Sequence, residues 1–157
     1  GITKSLAEAY TIDQSLRFNE ADDAFLSKTF ATAGTSRQKF TISLWAKRGS
    51  LGTAEGIFNP TVGGDGSNES VFEFSSADVL NFYDSGGTRG SYTTTQKFRD
   101  VGSWYHIVIV VDTTISSPAT DRIKFYVNGD RVTAFSAESA PTQDTMDTTL
   151  LVITVDI

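Results

Sequence analysis

Residues 104–114 read WYHIVIVVDTT, and residues 122–132 read RIKFYVNGDRV. The first stretch is apolar at every position from Ile107 to Val111, which predicts a central strand covered on both faces. It also contains the only histidine of the chain, His106, two residues after Trp104. This stretch is therefore expected to lie at the centre of a β-sheet.

The second stretch predicts a strand that ends in a tight turn. Residues 123–127 alternate, so that either Ile123, Phe125 and Val127 or the intervening side chains face a core. Asn128-Gly129 then supplies both central positions of a type I′ turn, where positive φ is required. A two-residue hairpin that returns through residues 130–135 is expected.

Short runs of the same kind follow one another from Ser15 onward. In residues 40–47 (FTISLWAK) the even-numbered side chains are apolar, and the odd-numbered ones, Trp45 among them, form the opposite face. Residues 137–147 (AESAPTQDTMD) are expected to form a loop. The other expected strands are SLRF (15–18), AFLSKTF (24–30), GIFN (56–59), SVFEFSS (70–76), VLNFYD (79–84) and TLLVITVDI (149–157).

About ten or eleven short strands without a long amphipathic helix predict an all-β protein. The pattern fits a sandwich, a jelly roll or a barrel. Of these we predict a two-sheet antiparallel β-sandwich of the jelly-roll type. A length of 157 residues fits one domain. Residues 1–14 have mixed character and are expected to be an N-terminal extension or linker, with the sandwich spanning residues 15–157.

The composition limits the classes of partner. The formal net charge is −6, whereas nucleic-acid binding needs clustered cations, so no nucleic acid is expected. The only tight basic pair, Lys47-Arg48, is interpreted as a solvated strand end. No apolar run is long enough for a membrane helix, so membrane insertion is not expected. The absence of cysteine is compatible with the cytosol, with bacterial secretion or with a virion.

Four segments in this order resemble the concanavalin A-like lectin/glucanase superfamily: SLRFNEADDAFLS, FTISLWAKRG, WYHIVIVVDTT and RIKFYVNGDRV. The resemblance is closest to the laminin G-like domains of marine phage and bacterial surface proteins. It implies a concanavalin A-like sandwich and favours an extracellular or virion-associated location. Relatives usually carry further strands after the hairpin, so this chain is expected either to lack its last strands or to close its sheet with residues 149–157.

The superfamily includes lectins, glycosidases, receptor-binding modules and structural domains, so the resemblance leaves the function open. The glucanases of this fold would require Glu-x-Asp-x-Glu, or its one-residue-longer form, on one strand, and the chain has no such motif. We expect a non-catalytic carbohydrate-recognition or adhesion module of a phage or cell-surface protein. The alternative is a structural or assembly domain of a virion or surface protein that has no sugar ligand.

His106 is interpreted as a hydrogen-bonded strand histidine. A catalytic triad needs a nucleophile and an orienting acid beside the histidine, and a zinc site needs companion His or Cys ligands. The sequence offers neither pattern around His106.

Two acidic segments carry the oxygen ligands that Ca²⁺ prefers. Relatives hold Ca²⁺ in loops at the edge of the sandwich, so the resemblance makes Ca²⁺ a candidate cofactor. The alternative is an ordinary acidic turn in an acidic protein. The proposed ligands are Asn19, Asp22 and Asp23 in NEADD, next to Glu20, and a second set is Asp65, Asn68 and Glu69 in GGDGSNE.

A glycan site needs exposed aromatic faces and a few fixed polar groups. The best candidate is NFYDSGGTRGSYTTT (81–95), in which Tyr83, Asp84, Arg89 and Tyr92 flank a glycine turn. Trp45, on the polar face of its strand, is a second candidate. The alternative interpretation is that Tyr83 and Tyr92 pack against each other across adjacent strands.

The last segment, TLLVITVDI, is too rich in apolar and β-branched residues to be left free in water. Either it closes its own sheet beside residues 16–18, or it pairs with a second copy through an open sheet edge. The first option is favoured because the preceding loop is long enough to cross the sandwich.

Overall fold

The structure is a computed structural model that describes residues 15–18, 25–29, 36, 38–59, 70–84, 90–145 and 152–156. These residues contain short strands and one 3-10 turn, Ala119–Arg122. The strands are β1 (Phe25–Thr29), β2 (Lys39–Ala46), β3 (Glu55–Phe58), β4 (Ser70–Phe74), β5 (Val79–Asp84), β6 (Ser91–Lys97), β7 (Tyr105–Asp112), β8 (Ile123–Val127), β9 (Asp130–Arg131), β10 (Phe135–Ser139) and β11 (Val152–Asp156).

The strands form two main antiparallel sheets. The four-stranded sheet has the order β2-β7-β8-β9, and the five-stranded sheet has the order β10-β6-β5-β4-β3. Buried side chains from both sheets form one hydrophobic core between them. The predicted all-β, two-sheet antiparallel sandwich is therefore confirmed.

β7 lies between β2 and β8 and is the central strand of its sheet, as expected. Its inner side chains, Ile107, Ile109 and Val111, are buried, whereas Val108 and Val110 on the outer face are only half-buried. The expectation of full cover on both faces is therefore wrong. The outer valines fit the strand because β-branched side chains favour extended backbone even where burial is incomplete.

β2 follows the period-two pattern of its sequence. The even-numbered side chains from Phe40 to Ala46 are half-buried or buried, and Thr41, Ser43 and Trp45 are exposed. β2 pairs with β7 along its whole length, from Lys39 opposite Asp112 to Ala46 opposite Tyr105. The alternation therefore places Trp45 on the outer face of the four-stranded sheet.

The Asn128-Gly129 turn joins β8 to β9 as a two-residue hairpin. Val127 pairs with Asp130, and the φ angles of Asn128 and Gly129 are 53° and 89°, as a type I′ turn requires. The Asn128 side chain has a further role, because its Oδ1 accepts a hydrogen bond of 2.9 Å from the His106 backbone N–H. The Asn128 N–H in turn donates to the His106 carbonyl oxygen at 2.8 Å. The turn is therefore fastened to the start of β7.

Gly129→Val is expected to lower the free energy of unfolding by about 1 kcal/mol or more, because a β-branched residue resists positive φ. A Cβ at this position would meet no atom within 4 Å, so the cost comes from backbone conformation and not from a clash. Urea denaturation measures the loss. Gly129→Asn is the control, since asparagine tolerates positive φ and should be milder. Equal unfolding midpoints for the two variants would contradict the explanation.

Phe125 of β8 lies in the middle of the core and is buried. Its ring is 5.5–6.4 Å, centroid to centroid, from four aromatic rings of the opposite sheet, in tilted or edge-on arrangements that aromatic pairs favour. This confirms the inward set Ile123, Phe125 and Val127. The four neighbouring rings are Phe72, Phe82, Tyr92 and Phe135.

Arg48 follows β2 and is buried, with 2% exposure, so the interpretation of Lys47-Arg48 as a solvated strand end is wrong for Arg48. Its guanidinium contacts Glu55 at 2.8 Å and Asp78 at 3.2 Å, and it donates to the Phe98 carbonyl oxygen at 3.1 Å. Position 48 continues the alternation of β2, in which even-numbered side chains face the core. A charge buried at such a position requires hydrogen-bond or ion-pair partners.

Asp78 is the second buried member of this ion-pair cluster. It accepts hydrogen bonds from the Gly52 N–H at 2.9 Å and from Arg99 Nε at 2.9 Å, in addition to Arg48. The Gly52 N–H, with Arg99 and Arg48, holds the pKa of the Asp78 carboxyl below its usual value. Asp78 therefore contributes stability that is present above the ordinary carboxyl pKa and is lost as pH falls through the lowered folded-state pKa.

Arg122 is a second buried arginine, and it bonds only to backbone carbonyl oxygens among the described residues. Its guanidinium donates to Ile115 at 2.7 Å, to Pro141 at 2.8 Å and to Ser116 at 3.1 Å. Arg122 thus ties the β7–β8 connection to the segment after β10. The charge is satisfied by carbonyl dipoles instead of a carboxylate.

The last strand, β11, pairs antiparallel with β1 of the same chain, Phe25 opposite Asp156. β11 also runs alongside β3. The expected partner, residues 16–18, is not in a strand, and Leu16 is exposed, so that part of the expectation is wrong. Residues 137–139 also differ from the expected loop: they belong to β10, which pairs with β6.

Candidate functional site

The predicted sugar-binding residues lie in separate parts of the sandwich. In the β5–β6 pairing, Phe82 is opposite Tyr92 and Tyr83 is opposite Ser91, so Tyr83 and Tyr92 point to opposite faces of the sheet. Tyr92 is 1% exposed and packs against Phe125 and Phe135. Its ring therefore offers no surface for a sugar, and it does not pack against Tyr83.

The Tyr92 hydroxyl is buried and has no hydrogen-bond partner among the described residues. Burial raises the pKa of Tyr92 to about 12, and the nearby Glu138 carboxylate adds to the rise. Tyr83 is half-buried, on the outer face of the five-stranded sheet. Asp84 ends β5, and Arg89 lies outside the described residues.

Trp45 is exposed and held in place on the outer face of the four-stranded sheet. It lies directly opposite His106 in the β2–β7 pairing, and the two rings stack with centroids 4.9 Å apart and planes 22° apart. The His106 Nε2 is 3.1 Å from the Ser43 Oγ, and this hydrogen bond fixes the imidazole. Trp45 keeps 41% exposure. We call Ser43, Trp45 and His106 the Trp45 surface.

His106 is thus a hydrogen-bonded strand histidine, as expected, and it has a further role in supporting Trp45. The outer face continues from the Trp45 surface across the sheet. Ser43, Val108, Tyr126 and Arg131 are consecutive partners on β2, β7, β8 and β9. Directly opposed residues share a face, so this row leads from the Trp45 surface to the β9 edge.

A small pocket lies at that edge, where β8 and β9 come next to β10. Its volume is about 190 Å³. We call it the side pocket. Apolar side chains, among them the half-buried ring of Phe135, form part of its wall. The complete lining is Thr120, Ile123, Lys124, Arg131, Val132, Thr133, Phe135 and Glu138.

The two cations of the side pocket share one carboxylate. Asp121 lies 2.7 Å from Arg131 and 3.8 Å from Lys124. The hydrogen bond from Arg131 and the two positive charges hold the pKa of Asp121 below its usual value, so the carboxylate is ionised at neutral pH. Glu138 lies on the edge strand β10, directly opposite Tyr92, so its side chain is on the inner side of the sheet.

The proposed calcium ligands Asn19, Asp22 and Asp23, their neighbour Glu20 and the second acidic set all fall outside the described residues. Within the ranges that are described, no three His, Cys, Asp or Glu side chains are grouped to hold a metal ion. The part of the chain that the structure describes also contains no helix long and apolar enough to span a bilayer.

Sequence reasoning missed the side pocket and the buried arginines. The pocket is lined by residues from the 3-10 turn and from the β8–β10 region. These residues come together only because of how the two sheets are packed, and a local sequence pattern does not predict that packing. The burial of Arg48 could have been inferred from the sequence, because position 48 continues the even-numbered series of β2 side chains that face the core.

A comparison with protein families matches residues 19–155 to a laminin G family model described as the concanavalin A-like lectin/glucanases superfamily. The match covers most of the 157 residues. It includes all the described strands except the last residue of β11. A search of curated proteins found no match.

Proposed function

This chain belongs to the concanavalin A-like lectin/glucanases superfamily, and from that membership we propose that it is a non-catalytic carbohydrate-recognition or adhesion module of a phage or cell-surface protein. The proposal rests above all on the Trp45 surface. Sugars bind to proteins through apolar C–H faces that stack on aromatic rings, together with hydrogen bonds from their hydroxyl groups. An exposed, oriented indole beside a serine hydroxyl and an imidazole supplies both.

The orientation of Trp45 matters as much as its exposure. His106 is held by a hydrogen bond between its Nε2 and the Ser43 Oγ, and its ring stacks on the indole, which restricts the rotamer of Trp45 before any ligand arrives. A preorganised side chain loses less conformational entropy on binding than a mobile one. This arrangement is more favourable for recognition than an isolated surface tryptophan would be.

The pKa directions of the described acidic side chains support the non-catalytic part of this proposal. Retaining hydrolysis needs one carboxyl group with a raised pKa as the acid and a second as the nucleophile. The pKa values of Asp78, Asp100, Asp112 and Asp121 are lowered instead, by hydrogen bonds from neighbouring residues. Glu73, the nearest sequence candidate, accepts a hydrogen bond from Asn81 at 3.2 Å.

The second candidate function is a structural or assembly domain that contacts other protein chains. Phe25 and Leu26 of β1 favour it, because they are large apolar side chains with exposures of 58% and 46%. Phe25 and Leu26 point to opposite faces of β1, so each face of this strand offers one exposed apolar side chain to a protein partner. Concentration-dependent association that sugars do not alter would favour this second function.

Trp45→Ala is expected to weaken glycan binding at least about tenfold, because a tryptophan that becomes covered by the ligand often dominates the binding energy. The measurement is a glycan array with the folded protein, run once with Ca²⁺ and once with a chelator, followed by titration of the strongest glycan. Trp104→Ala is the matched control: Trp104 is 38% exposed, but no described residue stacks on its ring as His106 stacks on Trp45. Equal affinities of Trp45→Ala and the parent would overturn the site, and a silent array would overturn the function.

A further inference from the structure

We infer that the side pocket binds one uncharged sugar ring, as a subsite of the glycan site; the inference rests on the proposed function. Its size sets the first limit. A volume of about 190 Å³ is smaller than the roughly 300–1,000 Å³ of pockets for drug-sized ligands, so the occupant is a single small ring. The walls combine an apolar side with polar groups, and a sugar ring has both kinds of surface.

Charge decides the class of ligand. Lys124 and Arg131 would suit an anion, but Asp121 already neutralises part of their charge at 3.8 Å and 2.7 Å. A bound anion would have to compete with this carboxylate. A bound cation would be attracted by Glu138 but repelled by both Lys124 and Arg131. An uncharged ligand avoids both costs.

The polar groups that remain in the pocket suit hydroxyl groups. The side chains of Thr120, Thr133 and Glu138 form no hydrogen bond or ion pair with other described residues. A carboxylate accepts hydrogen bonds from ligand hydroxyls, and a threonine hydroxyl both donates and accepts. Phe135 provides an aromatic side chain for the C–H groups of the ring.

The outer face connects the side pocket to the Trp45 surface. The row Ser43, Val108, Tyr126 and Arg131 spans three inter-strand spacings of about 4.8 Å, or about 14 Å. Val108 and Tyr126, which lie between the two ends, are half-buried. One oligosaccharide chain can therefore cover this row with its end ring in the side pocket, and it should bind more tightly than a single sugar.

The test is two-dimensional NMR of the isotope-labelled full chain with millimolar glucose, galactose, mannose or N-acetylglucosamine, and separately with glucuronate, glucosamine or sulfate. At least one uncharged sugar should shift the backbone amides of Lys124, Arg131 and Thr133 in a saturable way. Glu138→Gln and Thr133→Val should each weaken that binding about tenfold, because a hydrogen bond to the ligand is lost or loses its charge. Glu73→Gln is the matched control, as Glu73 lies on β4, three strands away from β10 in the same sheet, and outside the pocket.

The outcomes separate this inference from the proposed function. Glycan binding that depends on Trp45, without any sugar-induced shift at the pocket amides, would overturn the subsite and leave the function standing. Saturable shifts at the pocket that persist in Trp45→Ala, with unchanged array binding, would support the subsite and overturn the Trp45 surface. Stronger binding of glucuronate, sulfate or glucosamine than of every uncharged sugar would overturn the assigned ligand class.

Discussion

Arg48→Ala should lower the free energy of unfolding by about 3–5 kcal/mol, the typical loss when one member of a buried ion pair is removed. The substitution leaves Asp78 buried with a reduced set of partners, and it leaves the Phe98 carbonyl oxygen without its donor from Arg48. It also removes the guanidinium that lies 4.9 Å from the centre of the Phe74 ring. For a chain of this length the loss corresponds to a fall in Tm of roughly 6–20 °C.

Arg99→Ala is the matched control, because Arg99 contacts the same carboxylate, Asp78, at 2.9 Å but is 59% exposed. Exposed ion pairs contribute at most about 1 kcal/mol, so its effect should be small. If Arg48→Ala yields no folded protein, Arg48→Lys provides the measurement. A lysine keeps the charge but cannot reach Glu55, Asp78 and the Phe98 carbonyl together, so an intermediate loss in urea denaturation is expected. If Arg48→Ala and Arg99→Ala lower the free energy of unfolding equally, the buried ion pairs of Arg48 do not contribute the expected stability.

Gly90→Ala is the second large expected effect, a loss of about 3 kcal/mol in the free energy of unfolding. Gly90 precedes β6 with a φ of 95°, which L side chains rarely adopt. A Cβ there would lie 2.7 Å from the Ser139 carbonyl oxygen and 3.0 Å from Pro141 Cδ. Backbone strain and overpacking each cost about 1–3 kcal/mol.

Gly52→Ala separates the two causes of that loss. Gly52 also has a positive φ, 76°, but a Cβ there would meet no atom within 4 Å. Only the conformational cost of about 1 kcal/mol is then expected. Thermal unfolding of the two variants, followed by circular dichroism, gives the comparison. A Gly90→Ala protein no less stable than Gly52→Ala would show that the contact with Ser139 and Pro141 relaxes without cost.

The strands could be predicted because their signals are local. The alternation in β2 assigns Trp45 to the outer face, and Asn128-Gly129 determines the turn type, without knowledge of the rest of the chain. The partner of the last strand could not be predicted in this way. Both residues 16–18 and β1 are short segments with apolar residues, and the choice between them depends on where the sheets end.

The candidate site was predictable only in part, for a similar reason. Tyr83 and Tyr92 are separated by a connection that contains several glycines, and its length does not set the register between β5 and β6. The pairing puts Tyr92 in the core and Tyr83 outside. The stacking of Trp45 on His106 depends likewise on the register between β2 and β7. Trp45 and His106 are more than 60 positions apart in the sequence, so no local pattern sets this register.

The same long separation has a consequence during synthesis on the ribosome. β2 ends at Ala46 and its partner β7 begins only at Tyr105, with β3 to β6 in between. At the usual translation rate of about 5–20 residues per second, β2 leaves the ribosome several seconds before β7 does. β7, β8 and β9 follow one another closely and form a local meander, so their contacts close short loops. The nascent chain must therefore keep an amphipathic strand unpaired while four strands of the other sheet emerge behind it. The polar side chains Thr41 and Ser43 on its outer face limit its aggregation during that interval.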